Sequence, residues 1–354
     1  MRVLFILGCN EGPSKRYRVF NHIEALKEVG INSEWIWDIH PEIYEKSYLG
    51  KFTNIVNFRG GFNERLGILL QNAKELQIPV IYDVDDLVFD ESILQHVDAY
   101  VRMSSTDKAE YAQGVRSMRR ALESCDAATA STPFLTSYIQ STVGVQTWRI
   151  PFGVNLRQIE LAQILPGYGG GPKFITYLSG TKTHERDFLE AAEALQAILK
   201  KYKDVYLKVV GPLEIPNILN AVSHKIRRIP FMRWENLLVE ASTAYINIAP
   251  FDPKSWFCQS KSNLKYIEAG LCAVPTIASP IGSFTQSIES GINGYIAESP
   301  ENWEEIFHEL IQDRMLRDRI GLAAREQVLA SSTPHTIGNE LVAAYSNINA
   351  NYKK

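Results

Sequence analysis

The chain has 354 residues, of which 45% are hydrophobic and 22% charged, and these values predict a globular protein of two domains rather than a disordered or fibrous one. Its 37 basic and 40 acidic residues give a formal net charge of −3, which excludes a strongly basic nucleic-acid-binding protein. The four cysteines lie far apart without a Cys-x-x-Cys pair, so we expect free thiols in a reducing cytoplasm. The apolar run at residues 3–7 is too short for a membrane span or a secretory signal.

Strand and helix patterns alternate along the first part of the chain. Short apolar runs predict strands, and apolar residues at helical spacing predict helices, as in 17–29, where Gly30 ends the pattern. The predicted strands are 2–8, 32–39, 53–60, 78–86, 126–132 and 147–153, and the predicted helices are 17–29, one that runs through Leu76, 104–123, and one that starts near residue 132. This alternation is typical of a parallel sheet with helices on both faces.

A Gly- and Pro-rich segment, 165–173, interrupts the alternation and predicts a linker. The alternation then restarts. The predicted strands are 174–180, 206–212, 227–231, 244–251, 274–279 and 293–299, and the predicted helices are 187–202, 215–224, 234–242, 262–272, 283–290, 301–311, 313–330 and 334–350. Two doubly wound α/β domains are therefore expected, with a ligand beyond the carboxyl ends of their strands.

Several common motifs are absent from the sequence. The first strand is followed by neither Gly-x-Gly-x-x-Gly nor a Walker loop, so nicotinamide- and ATP-dependent functions lose their main support. The sequence also lacks His-Glu-x-x-His and the Gly-x-Ser-x-Gly elbow.

The most informative stretch is 256–279, in which a polar loop leads into a helix. Lys261, Ser262 and Asn263 lie at the start of that helix, where free backbone N–H groups and the helix dipole favour an anion. Glu268 follows two turns later, at a position where a carboxylate can accept two hydrogen bonds from a sugar diol. The alternative is a capped helix with a solvated lysine and a surface glutamate.

The segment KSNLKYIEAGLCAVPTIASP, 261–280, resembles the donor site of glycosyltransferase family 4, in the bacterial exopolysaccharide and O-antigen branch. The resemblance implies the GT-B fold: α/β, with two doubly wound Rossmann-like domains facing a central cleft. Residues 1–155 would form the acceptor-side domain, together with a closing helix at 334–350. Residues 156–333 would bind the nucleotide sugar.

Two residues of this segment stand at the positions of a paired-glutamate motif of the family. Glu268 matches the second glutamate, which in the family holds the nucleotide ribose, whereas Ser260 replaces the first. The resemblance further implies that Ser262 and the backbone amides of Asn263 and Leu264 bind the diphosphate.

The segment 175–188 resembles the first strand and loop of the family's donor domain. Gly180 and Thr181 would then approach the diphosphate, with Lys182 and His184 beside them. The usual arginine and lysine are replaced by Thr181 and Asp187, so the positive charge must come from elsewhere. Lys261 is the first candidate, followed by Lys182, Arg16 and Arg18. For His184 and Asp187 the alternative is a surface histidine and a helix cap.

The acidic segment 81–90 resembles the part of the first domain where the family has a sugar-contacting histidine, and Asp85 stands at that position. Asp83, Asp85 and Asp86 repel one another at the end of a buried strand, so they need cations, hydrogen bonds or water. A divalent metal site is the alternative, but hard cations need more oxygen ligands than one strand end supplies. We therefore expect no metal ion.

Two further segments add candidates to the donor site. The segment 14–26 resembles the family's first loop and helix, where Arg16 or Arg18 would pair with a phosphate, and a solvated helix start is the alternative. The segment 228–234 resembles the base-binding loop, in which backbone groups around Phe231 would read a uracil edge.

The resemblance implies a retaining hexosyltransferase that uses a nucleoside diphosphate sugar, with UDP-glucose as the first expectation. The donor is a substrate, so no cofactor is expected, and Lys261 and Asp85 are the candidate catalytic residues. The acceptor would be a saccharide or a lipid-linked glycan, in a cytoplasmic protein for which peripheral contact with the plasma membrane stays open. Because Ser260, Thr181, Asp187 and Asp85 depart from the family pattern, a sugar-nucleotide binding protein or partner subunit is a second hypothesis, and a UDP-sugar epimerase a third.

Overall fold

The computed structural model describes residues 1–8, 14–180 and 185–352. The chain divides into two compact units. Unit 1 comprises Met1–Asn155, Ser260–Ser262 and Ser332–Lys354, and unit 2 comprises Leu156–Gln259 and Asn263–Ser331. The candidate residues Thr181, Lys182 and His184 lie outside the described residues.

Unit 1 contains a six-stranded parallel sheet with helices between consecutive strands. The strands are β1 (Arg2–Leu7), β2 (Asn32–Trp37), β3 (Asn54–Phe58), β4 (Val80–Val84), β5 (Ala127–Ala130) and β6 (Thr147–Arg149), in the order β2-β1-β3-β4-β5-β6. The helices are α1 (Asn21–Glu28), α2 (Lys46–Leu49), α3 (Glu64–Glu75), α4 (Asp98–Val101), α5 (Ser105–Ser124) and α6 (Pro133–Thr142), and a π-helix, Arg16–Phe20, precedes α1. The central strands are buried on both faces, which explains their continuous apolar runs.

Unit 2 repeats this architecture. Its strands are β7 (Lys173–Leu178), β8 (Val205–Val210), β9 (Ile226–Ile229), β10 (Ile246–Ala249), β11 (Thr276–Ala278) and β12 (Tyr295–Ile296), in the parallel order β12-β11-β10-β7-β8-β9. The helices are α7 (Leu156–Ile164), α8 (Glu185–Lys201), α9 (Trp234–Ser242), α10 (Trp256–Gln259), α11 (Leu264–Leu271), α12 (Gly282–Thr285), α13 (Pro300–Gln312) and α14 (Arg314–Ser331). The prediction of two doubly wound α/β domains is confirmed.

Each sheet has one point at which the order of its strands reverses. In unit 1 this switch point lies between β1 and β3, and in unit 2 it lies between β7 and β10. Successive crossovers run in opposite directions from such a point, so a crevice opens there beyond the carboxyl ends of the two strands. These two crevices are where the fold itself favours ligand binding.

The last helix, α15 (Pro334–Tyr352), belongs to unit 1 and packs on α1. Its Leu341 and Tyr345 share an apolar core with Leu26 of α1 and with the first strands. The approach is close at Gly338, where an added Cβ would lie 2.2 Å from the carbonyl oxygen of Ala25.

Several predicted elements differ from the observed ones. Residues 156–164 form α7, so less of the region before 173 is irregular than expected, and the strand predicted at 293–299 is only Tyr295–Ile296. The helix predicted at 283–290 ends at Thr285. The reason lies in Asn293, whose side chain accepts from the Glu289 N–H at 2.8 Å and donates to the Ser287 carbonyl at 3.1 Å, and these bonds favour a turn over another helical turn.

Candidate functional site

The acidic residues at the end of β4 lie beside a basic residue from the neighbouring strand. Arg59 directly follows β3, and its Nε lies 2.6 Å from Oδ1 of Asp85. Its backbone adopts φ 50°, which is uncommon for a non-glycine residue, and its N–H donates to the carbonyl of Asp83 at 3.1 Å. This backbone bond and the ion pair hold Arg59 against the acidic segment.

A second cation meets the same acidic segment. Lys261 donates from Nζ to Oδ2 of Asp86 at 2.6 Å, and Ser260 donates from its hydroxyl to Oδ1 at 3.1 Å. The side chains of Lys261 and Asp86 are only 14% and 18% exposed. Lys261 is therefore not the solvated lysine of the alternative interpretation, and its charge is directed at a carboxylate of unit 1.

These contacts set the ionisation of Asp86. Burial alone would raise the pKa of this carboxyl group, but Lys261 and Arg59 outweigh burial and hold the pKa below its usual value. The expectation that the acidic residues need cations and hydrogen bonds is confirmed. Among the described residues, no group of three or more His, Cys, Asp or Glu side chains is arranged to hold a metal ion.

Arg18 does not lie where a phosphate could reach it. Its side chain is fully buried and forms a two-pronged ion pair with Asp83, in which Nε donates to Oδ1 at 2.9 Å. It also donates to the carbonyl of Ile150. The proposal of Arg18 as a phosphate ligand is therefore corrected: the residue is part of the core of unit 1. Arg16, the other candidate, contacts Tyr17, with its guanidinium 3.9 Å from the ring centre.

In unit 2, helix α11 begins beside the switch point. The side chain of Asn263 does not cap the helix, because it donates to the hydroxyl of Ser287 at 2.8 Å. Glu268 is only 8% exposed, so it is not the surface glutamate of the alternative interpretation. Ser262 and Leu264, the other candidates here, flank Asn263 at the start of the helix.

The remaining candidates of unit 2 lie in different surroundings. Gly180 follows β7 and has open space where a Cβ would be. Phe231 is 63% exposed in the segment between β9 and α9. Asp187 is buried in the first turn of α8 and accepts hydrogen bonds from the backbone N–H of Asp252 at 3.3 Å and from the thiol of Cys258 at 3.0 Å.

The sequence reasoning missed two basic residues. Arg59 follows a strand whose end carries no recognised motif, and only the sheet order shows that it reaches Asp85. Lys265 donates from Nζ to the carbonyl of Leu178, the last residue of β7, at 2.7 Å. The signal for Lys265 was present in the Lys-Ser-x-x-Lys start of the helix, but the spacing does not reveal which of the two lysines faces the strand end.

Comparisons with known proteins give the class of the fold. Residues 172–313 match the family model described as Glycosyl transferases group 1. No curated relative matches the sequence. Among solved structures, the chain is similar to a sucrose-phosphate synthase from Thermosynechococcus elongatus, with 16% identity and a TM-score of 0.64 over 99% of this chain and 100% of that chain.

Two further structures cover nearly the whole chain. A glycosyltransferase from Rickettsia africae is 16% identical, with a TM-score of 0.66 over 98% of both chains. HepE from Anabaena, in complex with UDP, is 14% identical, with a TM-score of 0.65 over 98% of this chain and 100% of that chain. HepE is also solved with UDP-glucose. At these identities the similarity shows the fold, and the predicted GT-B fold is confirmed.

One observation bears on membranes. None of the helices in the described ranges is both long and apolar enough to cross a bilayer.

Proposed function

We propose that this protein is a retaining glycosyltransferase that transfers a hexose from a nucleoside diphosphate donor to a saccharide or lipid-linked acceptor. UDP-glucose is the first candidate donor, and exopolysaccharide synthesis is the process that the resemblance favours. The GT-B fold and the group 1 glycosyl transferase match over 172–313 support the transferase activity. The UDP and UDP-glucose bound to HepE support the choice of donor.

The observation that carries the proposal is the burial of Glu268 on α11 within the matched segment. Glu268 is the fifth residue of α11 and only 8% exposed, so its carboxylate lies inside unit 2 and not on the solvated surface. A carboxylate has two oxygens, and each can accept a hydrogen bond from one of the two hydroxyls of a ribose. Glu268 would in this way fix the nucleoside while the start of α11 faces the diphosphate.

During the transfer, negative charge develops on the diphosphate that leaves the hexose. The acceptor hydroxyl forms a bond to the anomeric carbon as the bond from that carbon to the diphosphate oxygen breaks. The diphosphate leaves with the electron pair, and one of its oxygens takes the proton of the acceptor. Backbone N–H groups and cations near the leaving group stabilise the charge that it gains.

The proposal is tested by measuring the release of free UDP from a panel of UDP-hexoses, with GDP-hexoses for comparison, in the presence and absence of saccharide acceptors. We expect release from one donor, and a loss of about 10- to 100-fold in kcat/KM for Glu268→Gln. The exposed Glu193 on α8 provides the control, and Glu193→Gln is expected to keep wild-type activity.

The other hypotheses give different results in the same experiment. A sugar-nucleotide binding protein, which the occupied side chains of Ser260 and Asp187 favour, would bind a donor without releasing UDP. An epimerase would convert one UDP-sugar into another without an acceptor. If the wild-type protein binds no nucleotide sugar, all three hypotheses are wrong.

A further inference from the structure

A bound diphosphate is an anion, so we expect a basic residue near the strand ends to contact it. Two candidates from the sequence are engaged elsewhere: Arg18 is buried against Asp83, and Lys261 binds Asp86. Both partners lie in unit 1.

Lys265 lies at the switch point of unit 2. Its Nζ is 2.7 Å from the carbonyl oxygen of Leu178, which ends β7, and 5.9 Å from the ring centre of Phe251, which follows β10. It is also 5.1 Å from the ring centre of Tyr177. Since β7 and β10 are the two strands at which the sheet order reverses, the ammonium group lies at the mouth of the crevice where this fold binds ligands.

The backbone around Lys265 is fixed by the neighbouring strand. Asn247 of β10 donates from its side-chain amide to the Lys265 carbonyl at 3.2 Å and to the Thr276 hydroxyl at 3.0 Å. This holds the first turn of α11 against the sheet. The ammonium group and the N–H groups of that turn therefore lie on one rigid element, which is the arrangement that suits an anion.

A second observation points to a ligand at this helix start. Ser283 of α12 is buried, and its hydroxyl has no hydrogen-bond partner among the described residues. Two hydrogen bonds link Ser283 to the start of α11. The side-chain amide of Asn263 donates to the hydroxyl of Ser287, and that hydroxyl donates to the carbonyl of Ser283. A buried hydroxyl without a partner is costly, and a ligand oxygen would satisfy it.

We propose that Lys265 is the cation of unit 2 that binds the diphosphate of the donor, in place of Lys261. This inference rests on the proposed function. Lys265 would donate to a phosphate oxygen, and the attraction would strengthen as the leaving diphosphate gains negative charge. The aromatic faces of Tyr177 and Phe251 keep the ammonium group at the strand end when the site is empty.

The test compares the affinities for UDP and for uridine, which lacks the phosphates, by calorimetry. In Lys265→Met we expect the affinity for UDP to fall about 10- to 100-fold and the affinity for uridine to stay within about twofold. Retained uridine binding also shows that the variant is folded. Lys265→Arg, which keeps the positive charge, is expected to recover most of the affinity for UDP.

One control variant, and one variant of the rival lysine Lys261, make the result specific. Lys200→Met removes an exposed lysine of α8 and is expected to bind both ligands as the wild-type protein does. Lys261→Met is expected to lose less than threefold in affinity for UDP. If Lys261→Met loses the affinity and Lys265→Met keeps it, the assignment to Lys265 is overturned.

The outcome also separates this inference from the proposed function. A wild-type protein that binds neither UDP nor UDP-sugars contradicts the function itself. A wild-type protein that binds UDP, with a Lys265→Met variant whose ratio of UDP to uridine affinity is unchanged, contradicts only the role of Lys265.

Discussion

Arg18 and Asp83 form an ion pair that is enclosed within unit 1, with both side chains at most 1% exposed. Thr129 donates to the same carboxylate at 2.6 Å, so Asp83 is the centre of a small polar network. Burial alone would lower the pKa of Arg18, but Asp83 keeps the pKa above its ordinary value. The guanidinium therefore stays charged in the core and depends on its partner.

We expect Asp83→Asn to lower the free energy of unfolding by about 3–5 kcal/mol, because it leaves a buried guanidinium charge without its counterion. Chemical denaturation measures the change. The exposed Glu110 on α5 provides the control, and Glu110→Gln is expected to change stability by less than about 0.5 kcal/mol. If Asp83→Asn lowers the free energy of unfolding by less than about 1 kcal/mol, the ion pair of Arg18 with Asp83 does not stabilise unit 1 as proposed.

His22 on α1 gives a pH dependence. It is buried with neither ring nitrogen hydrogen-bonded within the described residues, and burial, reinforced by the charge of Arg18, lowers its pKa well below the usual value. Below pH about 6.5 the unfolded chain binds a proton at this histidine and the native protein does not. Acidification therefore lowers the free energy of unfolding, by up to about 1.4 kcal/mol per pH unit at this site.

The His22→Leu variant removes that contribution. Denaturation curves at pH 7, 6 and 5 should show a shallower loss of stability than in the wild-type protein. His224→Gln, which changes an exposed histidine, should keep the wild-type slope. Parallel slopes for wild type and His22→Leu would contradict the low pKa.

Lys261 and Asp86 should be energetically coupled. A double-mutant cycle with Asp86→Asn and Lys261→Met compares the free energies of unfolding of the wild-type protein, the two single variants and the double variant. We expect a coupling free energy of about 1–2 kcal/mol, because the pair is close and mostly buried. Since the pKa of Asp86 is held below its usual value, the coupling should persist unchanged at pH 5. A coupling near zero would show that the contact contributes nothing.

Two glycine-to-alanine substitutions are expected to change stability in opposite directions, because Gly338 lies at the contact of α15 with α1 and Gly114 does not. Gly338→Ala would place a Cβ against the backbone of Ala25, and we expect a loss of about 1–3 kcal/mol. Gly114→Ala lies in the exposed part of α5, where an added Cβ meets nothing within 4 Å, and is expected to stabilise the protein by up to about 1 kcal/mol. Thermal unfolding of the two variants should shift the midpoint in opposite directions.

The elements of this fold were predictable where the apolar pattern is long and regular. Helices α13, α14 and α15 follow the predicted 301–311, 313–330 and 334–350 within a few residues. Short elements such as α12 and β12 were predicted too long, because side-chain hydrogen bonds in a turn decide where they end.

The site was predictable at the level of segments but not of partners. The start of α11 and the acidic end of β4 both stand out in the sequence. That Arg18 is buried, and that Lys261 pairs with Asp86, depends on residues that are distant along the chain. A charged residue at a helix start has the same appearance in a sequence whether it faces solvent, a ligand or the core.

The return of α15 to unit 1 has a consequence for how the chain acquires its structure during synthesis. The core of unit 1 includes Leu341 and Tyr345, so it is complete only after α15 has been synthesised. Unit 2, whose segments end at Ser331, has all its residues available earlier. Completion of the core of unit 2 therefore does not depend on α15, whereas the apolar surface of unit 1 that Leu341 and Tyr345 cover stays exposed until α15 has been synthesised.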